Sequence, residues 1–211
     1  MRIVKPKIPN ALEEKDFMDV LGDEYRELYL AEIKNTAFTG EVFHDMRLEQ
    51  TVIKNSQFSN TDFSGLDLSD VRFENCDFSN ADLSKASFIR VEFVDCKLLG
   101  VNFSQSYMGH TRFQRSIMNM GIFAETKLEQ VIFEETLLEQ ADFFDCTLKK
   151  VVFETCKLDG INFRETPLKG VDISTSEFES LMVSMDHLKG CKISRHHAVY
   201  FARLLGLNIV E

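Results

Sequence analysis

The chain has 211 residues, 44% hydrophobic and 27% charged, a composition that suits one large globular domain or two small ones. Asp and Glu number 34 against 24 Lys and Arg, a formal charge of -10, which disfavours a basic surface that gathers nucleic-acid phosphates and so disfavours direct nucleic-acid binding. No apolar run approaches the roughly eighteen residues of a membrane span, and Met1-Arg2-Ile3-Val4-Lys5-Pro6 lacks an apolar signal core, so no membrane association and a cytoplasmic location are expected.

Residues 1 to about 27, with Pro6, Pro9 and the run Glu13-Glu14-Lys15-Asp16, read as an N-terminal cap. From Leu28 a period of five takes over. Stepping by five through Ile33, Phe38 and Phe43 as far as Leu188 and Ile193 gives 34 positions: sixteen Phe, eleven Leu, four Ile, two Met and one Val. None is polar, and sixteen of the nineteen Phe are accounted for. Two residues before each stands a small or medium side chain, as at Thr51, Ser56, Val71, Cys76 and Ala81, which reads as a second inward position; Glu41 and Asp186 depart from it near the two ends. The other three positions are mostly polar and should face water.

Five fits neither the 3.6 of a helix nor the 2.0 of a strand, but it fits a chain that turns a corner every five residues. Four corners close a square coil of about twenty residues, so residues 28–193 should stack as about eight coils spaced roughly 4.8 Å apart. Such a rod, about 40 Å long, has an interior wide enough for side chains only. Residues 194–211 form the other end. Ser194 is placed as an N-cap, 195–205 as a helix, Gly206 as its stop and Leu207 to Val210 as a last strand. Val199, Phe201, Ala202, Leu204 and Leu205 give this helix more apolar surface than capping requires, and a symmetric homodimer is the simplest way to cover the excess.

Cys76, Cys96, Cys146, Cys156 and Cys191 all fall in the small inward position and read as core fillers, without metal-ligand spacing. His196-His197 reads as a surface pair. No phosphate loop, nucleophile elbow or zinc-protease motif is present, so no catalytic residue, metal or cofactor is expected. The charge is concentrated in the repeat, -5 over 31–110 and -4 over 111–193. In projection Glu74, Asp95, Glu134, Glu135 and Glu154 share one face or its corner, Glu139, Asp159 and Glu179 lie on the next, and Lys149, Lys150, Lys169 and Lys189 gather on another. Outward Ile117, Ile122, Ile132, Leu137 and Val152, with Met120, mark a candidate apolar contact patch.

Ala81-Asp82-Leu83-Ser84-Lys85, Thr61-Asp62-Phe63-Ser64-Gly65 and Val101-Asn102-Phe103-Ser104-Gln105 resemble the repeat unit of the pentapeptide-repeat family. The resemblance implies an all-β fold, a right-handed quadrilateral β-helix closed by a C-terminal capping and dimerisation helix. The plan of an uninterrupted array and an apolar C-terminal stretch is similar to the Qnr-type quinolone-resistance proteins of Gram-positive bacteria. That likeness implies a non-enzymatic homodimer whose acidic rod mimics duplex DNA, binds the type II topoisomerases DNA gyrase and topoisomerase IV, and relieves fluoroquinolone poisoning. The acids named above would then be the partner-binding stripe. A scaffold or regulatory adaptor for another protein is the alternative.

Overall fold

The five-residue step is set at the corners. In the computed structural model, which describes residues 1–22 and 26–210, every positive-φ residue apart from Arg26 and Gly206 has a number divisible by five, from Leu30 to Gly190. Most are not glycine. Asn35, Asn55, Asn60, Asn75 and Asn80 hold φ between 51 and 57°, a region that Asn enters more readily than most residues. The left-handed turn costs roughly 1–2 kcal/mol per residue, and a ladder bond at the same corner offsets it: Asn60 N–H donates to Ser79 O and Asn80 N–H to Leu99 O, both at 2.8 Å. Ten glycines therefore suffice for a chain made of turns. Several turns are further closed by an Asp or Asn just before the inward residue. The Oδ1 atoms of Asp62, Asp77, Asp82 and Asn102 accept the backbone N–H two residues on at 2.8–3.0 Å.

Consecutive coils stack in parallel at a register of twenty, Leu48 on Leu68, Leu68 on Phe88 and Leu128 on Leu148. Four walls result. The first is centred on Leu48, Leu68 and Phe88, the second on Ile53, Phe73 and Phe93, the third on Phe58, Phe78 and Leu98, and the fourth on Phe63, Leu83 and Phe103. Strands such as Arg47–Lys54, Asp67–Glu74 and Lys127–Glu134 run through the first two walls, whereas the other two are held by single bridges and, near the end, the short pair Ile161–Asn162 with Leu181–Met182. This is the quadrilateral β-helix of about eight coils that the period implies.

The interior is filled by the fifth residues. From Leu28 to Ile173 all are buried except Phe38 and Leu148, which are half-buried. Rings stack up the second wall, Phe93–Phe113 at 5.0 Å, Phe113–Phe133 at 5.1 Å and Phe133–Phe153 at 4.9 Å, with planes within 10° of parallel. They meet the fourth-wall rings edge-on, as Phe133 meets Phe143 at 5.8 Å and 82°. Leu148 is less covered because the next coil presents Pro167. The N–H that Lys127 gives to Ser106 and Thr147 to Thr126 has no counterpart there, and the wide sheet ends at Thr147–Glu154.

The second inward position explains four of the cysteines, Cys76, Cys96, Cys146 and Cys156; Cys191, expected as a fifth core filler, is only half-buried because the last coil is irregular. Ser106 Oγ donates to Leu83 O at 3.0 Å, Thr126 Oγ1 to Phe103 O at 2.8 Å and Cys146 Sγ to Phe123 O at 2.9 Å, each to a carbonyl 23 residues back. A hydroxyl or thiol therefore fits the same slot, one donor against one fixed acceptor. Burial pushes the Cys146 thiol up to about 12 and Cys156 to about 11, so both stay protonated core groups.

Two of the three Phe outside the array are stoppers. Phe17, buried in the N-terminal segment, sits 5.2 Å from the rings of Phe43 and Phe58, with Val20 buried beside it. Ahead of this plug, residues 1–10 run lengthwise along the corner between the first and second walls. Val4 N–H reaches His110 Nδ1 at 3.3 Å, Lys7 N–H reaches Asp70 Oδ1 at 2.8 Å, and Gln50 Nε2–H reaches Lys7 O at 3.0 Å. Asp70 is also gripped by both arms of Arg90 at 2.6 Å. Burial would raise this carboxyl, but Arg90 and the Lys7 amide outweigh it and hold it below the usual carboxylate range. A depressed carboxyl stabilises the folded state fully above about pH 4, and that contribution is lost as pH falls through the folded value. Melting temperature measured against pH should therefore show the native protein's advantage over Asp70→Asn shrinking below about pH 4; parallel curves would contradict this.

At the other end Ser194 caps the helix Arg195–Leu204, accepting His197 N–H at 3.2 Å. Gly206 (φ 78°) stops it, with Gly206 N–H on Arg203 O and Leu207 N–H on Ala202 O. The structure departs from the sequence pattern at three points of this end. His197 is buried, not a surface residue: its Nε2 bonds Ser176 O at 2.9 Å while Nδ1 accepts Ser194 N–H, and burial lowers its pKa. Leu207 to Val210 form no strand, because no coil edge lies beside them. The inward rule also fails at its end, where Phe178, Val183 and Leu188 are half-buried and Ile193 is 37% exposed. A 3-10 turn at Met185–Leu188, around Asp186, replaces the regular corner there.

Candidate partner-binding surface

With the interior filled, any chemistry lies on the skin. Among the described residues no group of three His, Cys, Asp or Glu side chains is placed to hold a metal, and no helix is long and apolar enough to cross a membrane. A cleft of about 850 Å³ lies outside the stack where the helix meets the last coils, and is lined by Leu137, Glu139, Asp159, Glu177, Phe178 and His196 among others.

The acids expected to form one stripe divide into two kinds. Glu74 is held by Arg72 at 2.8 Å and Lys54 at 3.7 Å. Asp95 lies in a two-armed pair with Arg115 at 2.7 and 2.8 Å, which holds its carboxyl below the usual range. Glu134 is bound by Arg112. These three are largely neutralised within the rod, and sequence projection missed this because it counted acids without the cation one coil away. Glu135, Glu154, Glu139 and Asp159 make no ion pair among the described residues. Glu154 is one coil beyond Glu134, with Glu135 on the adjoining corner. Glu139, Asp159 and Glu179 rise one per coil on the third wall. Asp159 accepts Ser180 N–H at 2.7 Å and Glu179 N–H at 3.1 Å, bonds that lower its pKa.

A second acid column was not anticipated. Glu125, Asp145 and Glu165 occupy successive corners between the fourth and first walls, all exposed. Their spacing of twenty was the signal that identifies it. Of the expected basic face, Lys149 is tied to Glu129 at 2.6 Å.

The helix divides its apolar residues too. Phe201 faces inward, 7% exposed, with its ring 6.1 Å from Phe178, so it belongs to the plug and not to an interface: residues 197 and 201, one turn apart, share the buried side. Tyr200 is tied to Leu181 through its hydroxyl. Val199, Leu204 and Leu205 remain 38, 46 and 60% exposed, Ala202 is half-buried, and Leu207, Ile209 and Val210 extend the apolar surface.

A closed stack of five-residue turns, filled by side chains and capped at both ends, defines a solenoid whose outer walls are its working surface. The chain belongs to the pentapeptide-repeat family. The family's repeat-region profile matches residues 66–139 and 86–163, and a profile of nine pentapeptide repeats matches 33–82. No curated protein matches it by sequence. Among solved structures it is similar to a trypsin-treated form of QnrB1, a plasmid-mediated fluoroquinolone resistance protein. Identity is 20% over 85% of this chain and 90% of that one, with a TM-score of 0.52. Full-length QnrB1 gives 21% over 83% and 100%, TM-score 0.49. HetL, a pentapeptide repeat protein involved in heterocyst differentiation regulation in the cyanobacterium Nostoc, gives 16% over 79% and 86%, TM-score 0.35. At these identities the likeness speaks for the fold alone.

Proposed function

We propose that this protein is a homodimeric, non-enzymatic rod that occupies the DNA-binding groove of type II topoisomerases, DNA gyrase and topoisomerase IV, and thereby counters fluoroquinolone action. The observation that carries the reading is the set of acids without internal cations, Glu135, Glu154 and the column Glu139, Asp159 and Glu179, repeating once per coil along a stiff axis. A rigid row of carboxylates can meet the lysines and arginines that a duplex would otherwise meet, and binding of that kind weakens with salt. The apolar surface of Val199, Leu204 and Leu205 would join two rods end to end and lengthen the row.

The test is DNA supercoiling by purified gyrase, with and without ciprofloxacin. The protein should inhibit supercoiling at high concentration and reduce drug-induced cleavage at lower concentration, both effects fading as salt rises. Glu135→Lys, Glu139→Lys and Glu154→Lys together should lower the effect about tenfold or more without unfolding the rod, since none of the three is an internal partner of a cation. No inhibition and no rescue by the native protein would remove the topoisomerase reading and favour the adaptor.

A further inference from the structure

Of the apolar residues expected to face out, Ile132 is buried and Val152 half-buried on the second wall. The rest converge. Ile117 (41% exposed), Met120 (51%) and Ile122 (40%) belong to one coil and wrap the corner between the third and fourth walls, with Leu137 (37%) and Phe144 (40%) in the next coil. The repeat provides its own control. The column of Ile117 reads Gln57, Asp77, Lys97 before it and Lys157 after Leu137; that of Met120 reads Asn60, Asn80, Gly100, then Gln140 and Gly160; that of Ile122 reads Asp62, Asp82, Asn102, then Asp142 and Asn162. Outside the end coils, which carry Ala37, Val42 and Met182, three adjacent columns that are polar or glycine become apolar at this level, Leu137 extending the change by one coil.

Stability does not account for Met120. It holds φ of 58° at a corner where Asn and Gly are the easier choices, and its side chain is half in water. The charge around the patch then selects the occupant. Glu125, Glu139, Asp142 and Asp145 surround it without ion pairs, whereas the nearby cations Lys97 and Lys157 are already bound to Asp77 and Glu177. A second copy docked here would set acid against acid, and an anionic surface would be repelled.

We propose that the corner formed by Ile117, Met120 and Ile122, with Leu137 beside it, is a docking site for a segment of another protein that presents apolar side chains flanked by Lys or Arg. The patch borders the third-wall acid column at Glu139, but its occupant is defined by chemistry alone and does not depend on the topoisomerase reading.

The test uses the full chain labelled with ¹³C at Met and Ile methyls, titrated with a synthetic amphipathic Leu/Lys peptide and with its Leu/Glu counterpart. The Leu/Lys peptide should shift Ile117, Met120 and Ile122 first, and the Leu/Glu peptide should leave them unmoved. Ile117→Gln, Met120→Asn and Ile122→Asn together give each column a residue type it uses elsewhere and leave the charge unchanged. This variant should melt no lower than the native protein and bind the Leu/Lys peptide about tenfold more weakly. Equal binding by the variant, equal binding of the Leu/Glu peptide, or shifts in the native protein confined to methyls distant from this corner would each overturn the proposal. Because the shift map is read on the native protein, it decides the matter even if the variant fails to fold.

Discussion

Phe133→Asp should unfold the middle of the rod, and Phe133→Ala should cost about 3–5 kcal/mol. The ring is fully buried, sandwiched by Phe113 and Phe153 and met edge-on by Phe123 and Phe143. Alanine removes four ring contacts and leaves a hole that parallel coils cannot close, because each backbone level is fixed by the ladder above and below it. Aspartate adds a carboxylate with no partner inside the column, and total stability of about 5–15 kcal/mol does not absorb both effects. Phe144→Ser supplies the comparison. The same ring type eleven residues on points outward at 40% exposure, so its loss should change stability by no more than about 0.5 kcal/mol. Thermal unfolding followed by circular dichroism separates the two, and equal melting temperatures for Phe133→Asp and native protein would contradict the inward assignment.

The stack was legible because its signal is redundant. A polar residue at one fifth position would have been a local exception, yet the phase runs unbroken from Leu28 to Ile173, and the structure buries or half-buries each of those side chains. What the sequence did not reveal depends on neighbours twenty residues away or on the ends. Asp95 and Arg115 are exposed corner residues in sequence terms, but one coil apart they form a closed pair. Identical reasoning at twenty-residue steps recovers Arg90 with Asp70 and Lys97 with Asp77, so these pairings were accessible in principle. The plugs were not. Phe17 and Phe201 lie outside the period, and nothing in the local pattern tells a ring that seals an end from one, like Phe144, that faces water. The same is true of His197, whose burial follows from where the helix lies on the final coil. The projection gave the walls on which these acids lie, but which of them lack an ion pair was decided by packing.

Leu204→Glu with Leu205→Glu should convert the proposed homodimer into a monomer while leaving the rod intact. Both side chains stand exposed at the end of the helix, one turn beyond Phe201, which with His197 seals the last coil. In a symmetric end-to-end pair each substituted leucine would be lost twice, once per copy. With half of each side chain already exposed, four lost leucines amount to about 3 kcal/mol or more, at least a hundredfold in dissociation constant. The four added carboxylates would also repel one another across the junction. Sedimentation or light scattering at tens of micromolar should give twice the 24.3 kDa chain mass for the native protein and the single mass for the variant. Melting of the variant should remain close to native once dilution has dissociated both. Phe201→Ser should do the reverse, lowering the melting temperature by opening the last coil before any change in association is felt. A double variant that still pairs would remove this interface, and a native protein that stays monomeric would remove the dimer. The acid rows would then have to act over the length of a single rod.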